Sequence, residues 1–238
     1  MSSPRPELLV APCSYQAAKY AVEKWHYSQR MPKSKLNHLG VWENRVFIGA
    51  VIFGVGATAD MMMQFGLDKW QGCELVRIAL QAHETPVTKI VSIAIKQLVI
   101  HSPKLRLIVS YADPEQDHVG AIYQAGNWIY TGRTAQCDEY IVNGKRWHGR
   151  AFRASKPAHV TTKRYLEMQG DYEIVKGSSK YRYCYPLDRA MRKQIAPLAQ
   201  PYPKRDTRPV NGDTLATSEA GRFDSEPGAL IEAEPHGD

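Results

Sequence analysis

The sequence has no uninterrupted apolar run of about 18 residues, so it offers no segment long enough to span a bilayer as a helix. Cysteine is sparse. Cys13, Cys73, Cys137 and Cys184 stand far apart with no Cys-x-x-Cys pair, which argues against a zinc ribbon or a dense disulfide framework and for reduced, mostly buried thiols. The eight histidines are scattered and show neither His-x-His nor His-Glu-x-x-His spacing, so no metal ligand can be named. No glycine-rich loop follows a strand, which sets aside a methyltransferase built on such a loop. No internal repeat is visible. The opening MSSPRPELLVAP lacks the basic segment and long apolar stretch of a secretory leader, and the expectation is a cytoplasmic protein.

What is present suits one domain and a tail: 238 residues, 43% of them hydrophobic. The formal charge of +7 is unevenly spread. Residues 201–238 carry four Lys/Arg against eight Asp/Glu, leaving 27 against 16 in residues 1–200. A body that basic suits a polyanion such as DNA or RNA. The last stretch, from PYPKRDTRPV onward, is rich in Pro, Gly, Asp, Glu and Ser and has too little apolar surface to offset ordering entropy. The predicted division is a folded domain over 1–190 and a disordered acidic tail over 191–238.

Within the domain the pattern is α+β. ELLVAP predicts a strand, and Ser14 an N-cap for a helix with Ala17, Ala18, Ala21, Val22 and Trp25 at helical spacing. HLGVWEN and RVFIGAVIFGV alternate about a tight turn at Glu43-Asn44. CELVRIALQ is a further strand. Thr85 is the predicted cap, and Pro86 the first residue, of a helix apolar at Val87, Ile90, Val91, Ala94, Ile95 and Leu98. Then come a strand (LRLIVSYAD), a short helix (HVGAIYQAG) and a strand (NWIYTGR). DEYIV and KRWHGRAF form a predicted hairpin about Asn143-Gly144, followed by a helix (PAHVTTKRYLEMQ) and a last strand (KYRYCYPL). Antiparallel strands followed by strand–helix–strand–helix–strand is the order of the GNAT (acetyltransferase-like) fold, a mostly antiparallel sheet with helices on both faces.

Four pieces, KWHYSQR, ELVRIAL, TPVTKIVSIAI and above all LRLIVSYADPEQDHVGAIYQAGNWIYTG, resemble the Mom family of phage and prophage DNA modification proteins, over roughly residues 15–185. The resemblance implies a GNAT-like enzyme that puts a methylcarbamoyl (acetamido) group on the exocyclic amine of adenine in double-stranded DNA, making phage DNA resistant to host restriction. It implies acetyl-CoA as the small acyl donor, with an iron ion also involved.

Adenine's amine is a poor nucleophile because its lone pair is delocalised into the ring. An enzyme must position it, take its proton and stabilise charge on the donor. By resemblance Tyr27 matches an active-site tyrosine, able to stack on a flipped base; from its own position it could equally pack a helix end on the sheet. His26 beside it is catalytic or a helix cap. Asp113, closing LRLIVSYAD, matches an acidic residue that accepts the amine's proton, although Asp before Pro114 is also ordinary turn punctuation. Tyr123 matches a tyrosine that protonates the departing donor. Arg77, costly to bury among Leu, Val and Ile unless paired, matches a donor-contacting position, with a pair to Glu74 as the structural alternative. Thr88 and Lys89 open the helix whose N-terminus receives a pyrophosphate in GNAT folds.

The chain departs from that fold where the usual Gln/Arg-x-x-Gly-x-Gly/Ala loop is replaced by QAHETPVTK. The loss of glycine weakens CoA binding and makes an aminoacyl-tRNA the other candidate donor. Lys145, Arg146, Arg150, Arg153, Lys163 and Arg164 cluster after the Asn-Gly hairpin and suit phosphate contacts. The competing readings are an ordinary acetyltransferase acting on protein or RNA and a non-catalytic nucleic-acid-binding protein. A homodimer is compatible with the sequence.

Overall fold

Each of the early elements forms for a local reason. Ser14 accepts a hydrogen bond from the amide of Ala17 and starts α1 (Tyr15–Trp25), whose buried stripe is Ala18, Ala21 and Val22. Before it lies β1 (Leu8–Pro12); after it β2 (Leu36–Glu43) and β3 (Val46–Gly54) form a hairpin. The turn falls on Asn44 and Arg45, both left-handed at φ 50° and 67°, which is the geometry that suits the twist of a two-residue hairpin. It lies one residue beyond the predicted Glu43-Asn44. This computed structural model describes residues 5–56 and 61–204.

The order continues with β4 (Gly72–Leu80), α2 (Val87–His101), β5 (Leu107–Ala112), α3 (Ala121–Ala125) and β6 (Ile129–Arg133). An insertion follows: β7 (Asp138–Val142), β8 (Lys145–His148), α4 (Gly149–Ser155), α5 (Thr162–Gln169) and β9 (Tyr172–Lys176). The chain then returns as β10 (Tyr181–Pro186) and α6 (Arg189–Ile195).

One seven-stranded sheet runs β1-β2-β3-β4-β5-β10-β6. Every pairing is antiparallel except β4 with β5, which α2 joins as a crossover. Side chains alternate across β3. Ala50 and Ile52 meet α1, while Val51 and Phe53 meet Ile90, Val91, Ala94, Ile95 and Leu98 of α2. Each large aliphatic side chain so buried stabilises the fold by about 1.5–3 kcal/mol. The fold is of the expected α+β class, a mostly antiparallel sheet with helices on both faces.

Strands β4 and β5 pair in register only from Gly72/Leu107 to Glu74/Val109 and then part. A bulge in β4 lies just there: Ile52 faces Arg77 and Phe53 faces Leu75, so Val76 is the extra residue. Bulges twist a strand away from its neighbour, and this one opens the sheet where the site lies.

Four expectations need correction. Thr85 is not the cap of α2: Pro86 takes the cap position, no side-chain cap bond is made there, and Thr85 is buried. KRWHGRAF is not one strand: β8 stops at His148, whose imidazole accepts from the Arg150 amide and so starts α4. β9 was not predicted, and with β7 and β8 it makes a separate three-stranded sheet around Tyr140, Val142, Phe152 and Leu166. Ordered chain also runs past residue 190. Asp188 caps α6, and Met191 and Ile195 are fully buried against Leu107, Val109 and Cys184. The remainder of the predicted tail, residues 205–238, lies outside the described residues. No helix among the described residues is long and apolar enough to cross a membrane.

Candidate active site

The gap between β4 and β5 gathers side chains from four elements. His26 closes α1 and is 9% exposed. Its Nδ1 accepts from the Ser28 amide at 3.1 Å, which assigns the ring proton to Nε2 and makes that nitrogen a donor. Burial, then the positive charge of Arg77 and then His118, push its pKa down to about 4, so the imidazole is neutral at pH 7. Tyr27 lies against it with ring centroids 4.3 Å apart and meets the edge of His118 at 5.4 Å. Unlike buried His26, Tyr27 is 54% exposed. It is an aromatic face open to solvent above a buried, neutral donor.

Arg77 stands in the ladder beside the bulge, opposite Ile52. One guanidinium nitrogen donates to the Val76 carbonyl at 2.7 Å, while its buried Nε–H has no hydrogen-bond partner among the described residues. An orphaned buried N–H costs on the order of 1–3 kcal/mol, a cost that a ligand atom accepting from it would offset.

Tyr123 comes from α3, which begins at Gly120. That glycine has φ 78°, and a Cβ there would strike the Tyr183 ring at 2.3 Å. Glycine therefore lets α3 approach closely enough to point Tyr123 inward. The Tyr123 hydroxyl sits 2.7 Å from Oγ of buried Ser110, which is 2.8 Å from the Leu75 carbonyl across the gap. A carbonyl can only accept, so the one serine proton satisfies Leu75 when the tyrosine donates to the serine. Burial pushes the Tyr123 pKa up to about 12, which keeps its proton in place at neutral pH.

Asp113 lies at the rim, not in this cluster. Its carboxylate is bound to Lys180 at 3.1 Å, to the Ser178 hydroxyl at 3.2 Å and to the Glu115 amide at 3.1 Å. Burial raises its pKa, but the Lys180 charge and these hydrogen bonds outweigh that and hold it below the ordinary carboxylate value. Its backbone carbonyl holds the His118 amide at 3.2 Å.

Thr88 and Lys89 occupy the first turn of α2 as expected, but the Lys89 amide is already bonded to the Pro86 carbonyl at 2.9 Å. A cavity of about 600 Å³ lined by Lys35, Lys69, Trp70, His101 and Lys104 opens at the opposite end of β4 and contains none of the expected site residues.

The sequence profile of the Mom protein family matches residues 7–204. The chain belongs to the Mom protein family. It is 26% identical over 205 residues to Methylcarbamoylase mom of Escherichia phage Mu, covering 83% of this chain and 84% of that one. Among solved structures, an N-acyl amino acid synthase from uncultured soil microbes is similar over 81% of this chain and 97% of its own, with 11% identity and a TM-score of 0.44. An aminoglycoside acetyltransferase in complex with coenzyme A is similar over 63% of this chain and 99% of its own, with 10% identity and a TM-score of 0.42. The Mom-family chain is a transferase.

Iron finds no ligand set in this Mom-family chain: among the described residues no three His, Cys, Asp or Glu side chains come together as a metal would require. Acetyl-CoA meets a different obstacle. Both oxygens of the Glu43 carboxylate are hydrogen-bonded to the loop before α2, to the Glu84 amide at 2.9 Å and the Thr85 amide at 2.8 Å. The loop before α2 is therefore already carrying an anion.

The structure thus brings His26, Tyr27, Arg77 and Tyr123 together, sets Asp113 at the rim, and leaves Thr88 and Lys89 on the helix beyond. Sequence reasoning missed Ser110 and Glu43. A serine interrupting LIVSYA was a legible signal. Glu43 looked like an ordinary turn residue, and only the tertiary fold shows what it reaches.

Proposed function

We propose that this chain transfers an acetamido (methylcarbamoyl) group to the exocyclic amine of adenine in double-stranded DNA, from a donor that carries its leaving atom X on the methylene carbon (X–CH2–CO–NH2). The observation that carries the reading is the meeting of Tyr27, His26, Arg77 and Tyr123 where β4 and β5 part, in a chain matched by the Mom family over residues 7–204.

The roles follow from each environment. Adenine's amine lies within the duplex, and extruding the base costs a few kcal/mol. The exposed Tyr27 ring offers a face on which the extruded base stacks. Neutral His26 donates from Nε2, and the Nε–H of Arg77, without a partner among the described residues, donates beside it, so the pair can hold the acceptor oxygen of the transferred group. The new N–C bond forms at the methylene carbon as the donor's leaving atom departs with the electron pair. Tyr123, protonated up to about pH 12, supplies that atom's proton. Once bonded, the adenine nitrogen is cationic and strongly acidic, so water at the open Tyr27 mouth can take its proton. Asp113 then serves as a positioning residue, tying Lys180 to the end of β5 and holding His118 in place.

The exocyclic amine is the donor that adenine presents in the major groove. An acetamido group on it changes the pattern a restriction endonuclease reads, which supports an anti-restriction role. The setting that fits is the cytoplasm of the bacterial host.

The test is mass spectrometry of nucleosides from DNA of cells expressing the chain. Wild type is expected to give a deoxyadenosine heavier by an acetamido group. Tyr123→Phe keeps the ring packed against Trp128 and Tyr183 but is expected to lower the yield about 100-fold or more. Unmodified DNA alongside folded, abundant wild type would sink the reading, and a plain acetyl group would move it to ordinary acetyl transfer.

A further inference from the structure

We infer that Glu43 seals the loop before α2 against a diphosphate, so that the donor is not anchored there by a coenzyme A-type carrier. This rests on the transferase reading only in assuming that a donor exists.

The argument is an account of the loop's amides. Set against Gln/Arg-x-x-Gly-x-Gly/Ala, the segment runs Gln81, Ala82, His83, Glu84, Thr85, Pro86. A diphosphate is held at such a turn by backbone N–H groups that wrap it, and glycines allow its close approach. Here the Gln81 amide is bonded to the Ile48 carbonyl at 2.9 Å. The Glu84 and Thr85 amides, at the first glycine position and the one after it, are bonded to Glu43. Pro86, at the second glycine position, has no N–H. The amides of Ala82, His83 and the first turn of α2 remain, but at the two glycine positions and between them the N–H groups are bonded to Glu43 or, at Pro86, missing.

Glu43 is a fitted part of this arrangement. It is 7% exposed, and the Glu84 amide first, with Thr85 and His83 in support, holds its carboxyl below the ordinary carboxylate range. It is therefore an anion at neutral pH, sitting where a phosphate's charge would sit. Its backbone is pinned from the next residue: the Asn44 amide donates to the Glu7 carbonyl at 2.8 Å, and the Glu7 amide donates to Asn44 Oδ1 at 2.9 Å. A diphosphate would have to displace a charge-matched acceptor from a fixed hairpin and then lie beside it. The donor is left to the gap itself, where the Arg77 Nε–H has no partner among the described residues.

The experiment is calorimetric titration of the full chain with coenzyme A and, separately, with inorganic pyrophosphate, for wild type, Glu43→Gln and Glu43→Ala. Circular dichroism melting establishes that each is folded. Wild type is expected to give no saturable binding of either compound up to about millimolar concentration. Glu43→Ala is expected to bind pyrophosphate at least about tenfold more tightly than wild type. Glu43→Gln, which loses the charge but keeps an acceptor, is expected to fall between them and serves alone if the alanine variant does not fold. Saturable micromolar binding of coenzyme A by wild type, with pyrophosphate competing, overturns the inference. Folded Glu43 variants that bind no better than wild type also overturn it, because something other than this carboxylate would then close the loop. Neither result touches the nucleoside measurement, which fails or succeeds on its own.

Discussion

His26 shows how one buried side chain carries both chemistry and a pH limit. Its ring accepts from the Ser28 amide and lies near the Arg77 charge, so a second proton is unwelcome. Folded, it stays neutral down to about pH 4; unfolded, it takes up a proton near 6.5. In that window the unfolded chain binds more protons, so its stabilising contribution is complete above 6.5 and is lost as pH falls toward 4. Burial also lowers the pKa of His38 and of His148, which act in the same direction. The expected result is a loss of about 2 kcal/mol from His26 alone between pH 7 and pH 5. Urea unfolding at the two pH values checks this: His26→Gln should show a pH-dependent loss smaller by about that amount. An unchanged loss would mean that the ring is not held neutral. The sequence made His26 and Tyr27 visible as a pair at a helix end. It could not reveal the Ser28 contact that fixes the tautomer, because that depends on how the chain turns after Trp25.

At the scale of elements, the insertion between β6 and β10 is the part most plainly suited to a long anionic partner. α5 presents Lys163 and Arg164, both exposed, in its first turn after the Thr161 cap. The neighbouring cations are not equivalent. Lys145 lies over the Trp147 ring, and Arg146 is paired with Glu139 and Glu115, so those two are less available to phosphate. Lys163→Gln and Arg164→Gln are expected to weaken binding to duplexes of any sequence, each lowering the salt-dependence slope by about 1. Binding measured at several salt concentrations tests this, and an unchanged slope would place the phosphate track elsewhere. The hairpin β7–β8 was legible because Asn143-Gly144 signals its turn chemically. The strand β9 was not, because YEIVK is short, half polar and follows a helix, and it is stabilised by pairing with β7 and by Tyr172 packing on the Tyr140–Phe152 cluster. His148 likewise reads as a strand residue until its imidazole is seen capping α4.

For the whole molecule the question is where the folded unit ends. Composition marks the acidic stretch well, since it is poor in apolar residues, but it sets the boundary too early. Met191 and Ile195 lie at helical spacing, and both are fully buried. Beyond them the Gln200 amide bonds the Tyr130 carbonyl, and the Tyr202 hydroxyl bonds the Trp128 carbonyl. A chain cut after Lys204 is expected to melt as the full chain does. One cut after residue 190 loses two core side chains, each worth about 1.5–3 kcal/mol, and is expected to melt well below it. Equal melting of the two truncations would contradict the role given to α6. The strand order and the site have the same history of partial legibility. Periodicity foretold nearly every strand, but β10 entering between β5 and β6, and Glu43 reaching a loop some forty residues on, are facts of tertiary pairing. Burial also sorts the four thiols. Cys13, Cys73 and Cys184 have pKa values pushed up to about 11, 12 and 11, while Cys137 is exposed at the entry to β7. The fold has in effect left one exposed handle for a thiol-reactive dye on the basic insertion, its carbonyl bonded to the Gly177 amide next to the Ser178 that holds Asp113, where a fluorophore can report on docking at the rim of the site.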